Sequence, residues 1–449
     1  MKFADTVRYL TVATVMALVL GGVAEAAPPT GSSDAAVDAF YLPPDPLPGS
    51  AAGDVIRTQP FPLPLSLRLN EVTIPATAQR IMYRSNDAHD EPIAVTGTYF
   101  EPSQPWTGPG DRPLVTMAAG TQGQGDDCAP SKLFGELLNY HFPFDVMTEY
   151  EVLPVYLLLA RGVAVVMTDY AGLGTPAVHD WMNRESQGHA VLDAARAARK
   201  LPGTSLGAAA PLAIAGYSQG GGAAASAAEM QPGYAPELDL RGSFVGAVPA
   251  DLIAVLTAPA ADAGMFGNGV ISGPAVGLFG YIINSLAAVY PEARPEIDRI
   301  TNDSGKRLIA EVATSCVPDL LLRNMFRRSR EFTASGRLLS EEILDSPILR
   351  ELLDRQRIGR LTPGAPVYIS SSVVDDLVGH PQSRQLAQDW CDSGATVELN
   401  KFDRIPPWFN GLGVGHVISI LPYLSVMTDW LLARFADVPA TGDCSALPN

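Results

Sequence analysis

Ser218, Asp375 and His416 are the residues of this chain whose types and placing could together do covalent chemistry. Ser218 stands in Gly216-Tyr217-Ser218-Gln219-Gly220, with an apolar run at 212–215 before it and a stretch of Gly, Ala and Ser at 221–228 after it. That is Gly-x-Ser-x-Gly between an expected strand and an expected helix, the context that gives the pattern meaning. Gly216 and Gly220 remove side chains where a sharp turn would crowd them. The serine oxygen would then stand at the tip, with the amides of a helix over about 218–230 aimed at the reacting oxygen. The pentad also occurs by chance, and an idle serine capping the helix is the alternative.

A serine hydroxyl is a poor nucleophile until a base takes its proton, and histidine suits that task near neutral pH. Of the six histidines, His89, His141, His179, His189 and His380 fall in or beside ordinary loops and helices. His416 differs: it closes a glycine-rich loop at 411–416, after the last expected strand and before a terminal helix at 417–435. Where such an elbow carries a triad the chain order is serine, acid, histidine. Ser370-Ser371-Ser372-Val373-Val374-Asp375-Asp376 supplies the acid. Asp375 is the choice, to hold the imidazole tautomer, with Asp376 its solvated neighbour. A turn-forming aspartate and a surface histidine are the ordinary alternatives. The tetrahedral intermediate needs oxyanion donors: the Gln219 amide, and the loop 120–123, where Gln122 is preferred to Thr121. That loop lacks the Gly-Lys-Ser/Thr of a phosphate cradle, and a plain glycine turn is its alternative reading.

The elements that must position these groups read as a doubly wound α/β domain. Strands are expected at 79–84, 93–100, 113–119, 162–168, 212–217, 244–248, 366–370 and 395–400. Helices are expected over 131–160, broken near Pro143 and Pro154, and at 186–200, 218–230, 381–392 and 417–435. Residues 251–361 hold helical patterns without a convincing strand. They read as an inserted cap, whose apolar residues line an acyl pocket or form its own core. The organisation expected is 1–26 signal peptide, 27–75 extended arm, 76–250 first part of the core, 251–361 cap and 362–449 second part of the core. Prolines 60, 62 and 64 argue against a regular ladder in the arm, and Phe40 and Tyr41 are its candidate anchors.

The net charge of −17 leaves no basic footprint for a nucleic acid and disfavours a standing partnership with an anionic membrane surface. Lys2 and Arg8, the apolar run 9–23 and Ala24-Glu25-Ala26 form an export signal cleaved before Ala27, rather than a membrane anchor. Cys128, Cys316, Cys391 and Cys444 are even in number and widely spaced. Export would allow two bridges in any of three pairings, and buried thiols are the alternative. No cofactor motif and no metal-ligand spacing stands out, and a monomer is expected.

The elbow at 216–221, the loop Gly120-Thr121-Gln122-Gly123-Gln124-Gly125 leading into Cys128-Ala129-Pro130-Ser131-Lys132, and Asp169-Tyr170-Ala171-Gly172-Leu173-Gly174 resemble the secretory lipases of actinobacteria and fungi, relatives of Candida antarctica lipase A. The resemblance spans about 75–444. It implies an α/β-hydrolase fold, with a central mostly parallel sheet flanked by helices and a helical cap inserted before the acid-bearing strand. It further implies action on acylglycerols and other carboxylic esters, with Ser218, Asp375 and His416 as nucleophile, acid and base. Gln219 and either Gln122 or Thr121 would form the oxyanion region, and the bridges would be Cys128–Cys316 and Cys391–Cys444. Two departures concern the pocket: Ser370-Ser371-Ser372-Val373-Val374 replaces a bulkier polar-glycine loop, and extra residues around Pro406-Pro407-Trp408-Phe409 precede His416. The expected protein is a secreted serine ester hydrolase, foremost a triacylglycerol lipase, meeting lipid at a water interface. A short-chain carboxylesterase, an acyltransferase and a non-catalytic secreted binding protein are the alternatives.

Overall fold

Three strands, Leu114–Ala118, Ala164–Tyr170 and Leu212–Tyr217, bury every residue. Only a sheet covered on both faces makes that pattern stable. In the computed structural model they form the middle of a nine-stranded sheet. The structure describes residues 39–63, 68–69, 72–73, 76–136, 138–141, 145–257, 275–324, 327–403, 413–445 and 447. The chain divides after Phe40 into two units, and the sheet lies wholly in the second. The expected signal peptide lies outside the described residues, as do Pro143 and the insertion around Trp408.

The sheet strands are β1 Val55–Phe61, β2 Ala76–Asn86, β3 Pro92–Pro102, β4 Leu114–Ala118, β5 Ala164–Tyr170, β6 Leu212–Tyr217, β7 Leu240–Gly246, β8 Val367–Ser372 and β9 Val397–Phe402. Their spatial order is β1-β2-β3-β5-β4-β6-β7-β8-β9. The pairs β1–β2, β2–β3 and β3–β5 are antiparallel; the other five are parallel. The chain order reverses between β4 and β5, so the crevice at the carboxyl ends of β4 and β6 is where such sheets place ligands. The helices Arg184–Lys200 and Gln219–Tyr234 pack on each other and on the sheet, and Val152–Leu159 and Ile420–Phe435 form a second such pair. This is the mostly parallel α/β architecture expected.

Several local expectations are corrected. The arm is not without a ladder: β1 lies in it and pairs with β2, Pro60 opposite Gln79. An edge strand tolerates a proline because one side of it needs no donor. The stretch read as mainly helical is a short helix, Pro130–Glu136, then a two-stranded hairpin, Leu138–His141 with Asp145–Thr148, then Val152–Leu159. Pro154 falls in the first turn of that last helix, where its missing N–H costs nothing. Tyr41 does anchor: its hydroxyl lies 2.7 Å from that of Ser131.

Between β7 and β8 the described residues are helical, with Leu252–Thr257, Ala275–Val289, Arg294–Ile300, Asp303–Val312, Val317–Asn324, Leu339–Asp345 and Pro347–Arg355. The last two of these helices are separated at Ser346-Pro347, where Ser346 accepts from the Leu349 amide as an N-cap. These helices bury a hydrophobic cluster of their own around Phe279, Ile283, Leu308 and Leu353, into which Trp181 of the core also packs. The disulfide Cys128–Cys316 ties this insertion to the loop after β4, and Cys391–Cys444 ties the C-terminal segment to the helix His380–Asp392. The run Val414–Phe435 is long and apolar enough to cross a membrane. Here its Tyr423, Met427 and Leu431 are buried in the main core.

Candidate active site

The turn after β6 is forced by its glycines. A Cβ on Gly220 would stand 2.0 Å from the Ala118 carbonyl oxygen, and one on Gly216 would stand 2.2 Å from that of Gly220. The elbow helix can therefore start directly against the end of β4. Ser218 takes up the bend at φ 61°, ψ −123°, a conformation that costs a non-glycine residue about 1–3 kcal/mol. Its amide donates to the Gly246 carbonyl at 3.0 Å, and its carbonyl accepts from Gly222 at 3.0 Å. The strained turn is thus held from both sides, and the serine is not a side-chain cap of its helix.

His416 reaches this serine from far along the chain. It lies in a short helix, Val414–Ile418, not in the loop expected, and Gly413 at φ 77° is its N-cap. The imidazole Nε2 is 2.8 Å from Ser218 Oγ. Nδ1 is 2.9 Å from each carboxylate oxygen of Asp375. Asp375 follows β8, and its Oδ1 also accepts from the amides of Leu377 at 3.1 Å and Val378 at 2.8 Å. The carboxylate fixes Nδ1 as the donor, which leaves Nε2 free to accept the serine proton. Burial opposes the charged imidazole, but the charge and hydrogen bond of Asp375, joined by the charge of Asp376, outweigh it and raise the His416 pKa above its usual 6.5.

Asp376 is not the solvated bystander expected. Its Oδ1 accepts from the His416 amide and its Oδ2 from the Gly413 amide, each at 2.9 Å. One aspartate thus holds the imidazole and the next holds the backbone that carries it. The Tyr217 hydroxyl adds a bond to the His416 carbonyl at 2.8 Å. Gly415 allows the approach, since a Cβ there would sit 1.8 Å from the Val374 carbonyl oxygen.

The loop after β4 comes to the same crevice, where the side chains of its two candidate oxyanion residues part. Thr121 lines the cavity beside Ser218. Gln122 is turned away, donating through Nε2 to Glu149 Oε1 at 3.2 Å. The segment Glu149-Tyr150-Glu151 braces the loop: Glu151 accepts from the Gly120 amide at 2.9 Å, and the Tyr150 hydroxyl donates to the Thr121 carbonyl at 3.0 Å. Burial lifts the Glu151 carboxyl to about 7, and burial with the neighbouring Glu151 charge lifts Glu149 well above its usual value. Gln219 is buried, and its side chain meets His179 at 3.0 Å. Sequence reasoning passed over His179, Glu149, Glu151 and the role of Asp376, because each acts through a partner distant in the chain.

A cavity of about 60 Å³ opens beside Ser218, walled by Trp181, Leu252, Phe279, Ile282 and Leu377 among others. Leu252, Phe279 and Ile282 belong to the insertion and to its hydrophobic cluster, so lining a pocket and forming a core are not alternatives here. Such a wall suits an apolar group next to a carbonyl held at the serine. Among the described residues no cluster of His, Cys, Asp and Glu is placed to hold a metal ion.

Residues 141–443 match the secretory lipase family. A relative from Mycobacterium tuberculosis, described as a probable inactive lipase, is 28% identical over 406 residues, covering 90% of this chain and 83% of its own length. The secreted triacylglycerol lipase LIP3 of Malassezia globosa is 24% identical over 422 residues, covering 92% of this chain and 84% of its own. Among solved structures, Candida antarctica lipase A in its closed state superposes with a TM-score of 0.72 at 19% identity, over 91% of this chain and 88% of that one. The superposition is a likeness of fold.

Proposed function

The chain belongs to the secretory lipase family, and from that premise we propose that it is a secreted serine carboxylic-ester hydrolase that cleaves triacylglycerols. Ser218 is the nucleophile, His416 the general base and then acid, and Asp375 the residue that orients and charges the imidazole. The single observation that carries this reading is the continuous contact from Asp375 through His416 to Ser218 Oγ, 2.9 Å and 2.8 Å, at the tip of a strained elbow. Ser218 Oγ attacks the ester carbonyl as its proton passes to His416 Nε2. The oxyanion is met by the Gln219 amide and by the loop Gly120–Gly123, with Thr121 on the side of the substrate. Collapse expels the alcohol with the proton from His416, leaving an acyl-serine. Water then attacks, giving its proton to His416, and the carboxylic acid leaves as Ser218 regains a proton.

The helices over 251–361 act as a cap on cores 76–250 and 362–449, and their apolar residues receive the acyl chain. Secretion rests on the leader-like residues 1–26 and on the name of the family. The test is hydrolysis of triglycerides and p-nitrophenyl esters of graded chain length by the purified protein, with Ser218→Ala as the blank and a phosphonate probe for the serine. Activity and labelling that vanish together in the variant support the reading, and a variant that keeps turnover refutes it. A rate that collapses beyond short acyl chains would make it a carboxylesterase.

A further inference from the structure

His179 is wholly buried and takes no part in the triad, yet its ring is tied at both nitrogens. Nδ1 lies 2.9 Å from the Ala171 carbonyl oxygen, which can only accept, so the proton sits on Nδ1. Nε2 therefore presents a lone pair, and the side-chain amide of Gln219 donates to it at 3.0 Å. Gln219 is the residue directly after Ser218. The ring stacks on Tyr170 at 5.9 Å, and the Tyr170 hydroxyl donates to the Ala119 carbonyl at 2.6 Å, immediately before the loop that faces Ser218. One aromatic pair thus grips both sides of the place where an oxyanion would form.

The same group is joined to the insertion. Gln124 donates through Nε2 to the carbonyl of His179 at 3.1 Å and to that of Tyr281 at 3.2 Å. Its Oε1 accepts from Asn284 at 2.9 Å. Tyr281 and Asn284 lie on the helix Ala275–Val289, whose Leu278, Phe279 and Ile282 wall the cavity. Burial pushes the His179 pKa down to about 4, so the ring is neutral and Nε2 remains an acceptor at ordinary pH. The nearest acid, Asp180 at 3.8 Å from Nδ1, is itself pushed up to about 7 by burial.

We propose that His179 is a positioning residue for the oxyanion side of the site: it holds the Gln219 side chain so that the Gln219 main-chain amide points at the carbonyl oxygen, and Gln124 makes that hold depend on the docked helix Ala275–Val289. The proposal rests on Ser218 being the nucleophile. Two substitutions divide the bonds of the ring. His179→Asn offers a donor to Ala171 but nothing to Gln219, whereas His179→Gln offers an oxygen near the position of Nε2. Gln219→Met removes the amide and keeps the bulk.

The experiment measures kcat and KM on p-nitrophenyl butyrate for the full chain, for these three variants and for the double variant His179→Asn/Gln219→Met. Thermal midpoints and Ser218 labelling by a phosphonate are followed alongside. Losing an oxyanion donor outright costs about 10²–10³ in kcat, and a displaced one should cost less. His179→Asn should therefore lower kcat about tenfold with KM within about twofold. His179→Gln should recover most of that, and the double variant should be no slower than Gln219→Met alone. Two outcomes overturn the proposal while the parent still labels at Ser218: losses that multiply in the double variant, or Gln ranking no better than Asn at matched thermal midpoints. A parent that neither labels nor hydrolyses overturns the reading of the site itself.

Discussion

Two adjacent aspartates hold His416 by different parts, and neutralising each should fail in a different way. In Asp375→Asn an amide nitrogen or oxygen replaces the carboxylate that now meets Nδ1 at 2.9 Å through both oxygens. Oδ1 also accepts from Leu377 and Val378, so the retained oxygen is drawn to those amides and the new NH₂ is turned to the ring. Nδ1 must then accept, the proton moves to Nε2, and Nε2 can no longer take the proton of Ser218. The corresponding change in a serine-protease triad costs about 10⁴ in kcat, or about 5.5 kcal/mol of barrier. Asp376→Asn leaves the tautomer alone. It converts one of two charge-assisted bonds, to Gly413 or to the His416 amide, into a donor facing a donor. That costs about 1.5–3 kcal/mol of local stability and roughly a tenfold loss of rate as the ring drifts. The assay is kcat/KM on a soluble ester at a pH where the base is fully deprotonated, with thermal melting of each variant. A fall for Asp375→Asn of less than a hundredfold, or a larger fall for Asp376→Asn, would refute this division of labour.

The pH profile should carry the same signature. On the proposed mechanism His416 acts when neutral, and its pKa is raised, so kcat/KM should decline on the acid side with a midpoint above 6.5. Asp376→Asn removes one of the charges that raise it and should move that midpoint down; a midpoint below 6.5 in the parent would contradict the geometry. The bridges should rank by the loops they close. Cys128–Cys316 spans 188 residues and Cys391–Cys444 spans 53. On chain entropy, replacing the first pair by serine should cost about 1 kcal/mol more than replacing the second, seen as the lower of two denaturation midpoints. The opposite ranking would mean that the insertion folds independently of its tether.

The elbow is legible in the sequence because its causes are local. A buried strand, two glycines that admit the turn, and a small-residue helix follow one another directly from Leu212 to Tyr234, and the strain at Ser218 follows from them. The order of serine, acid and histidine along the chain needs only the sheet's succession of strands, and the structure brings the three together with His416 between Ser218 and Asp375. The corrections are also local. Prolines argue against a ladder in general, but an edge strand does not need the N–H that Pro60 lacks. The Asp145–Thr148 hairpin is hidden inside an apolar stretch whose period alone cannot separate strand from helix.

What is not legible is what holds the reactive groups still. Asn284 reaches Gln124 across 160 positions, Gln219 reaches His179 across 40, and Asp376 reaches the His416 amide across 40. Each is a buried or half-buried polar contact between residues whose own neighbourhoods look like ordinary loop or helix. Sequence pattern records burial through periodicity, and a polar side chain in a loop has no period to read. Its function is set by which unpaired donor or acceptor the fold sets opposite it, and leaving that partner alone costs about 1–3 kcal/mol. A candidate nucleophile can therefore be found from a pentad. The groups around it are found only when the buried polar atoms are paired one by one, and in this chain that pairing leads from Gln219 through His179 and Gln124 to the helix Ala275–Val289.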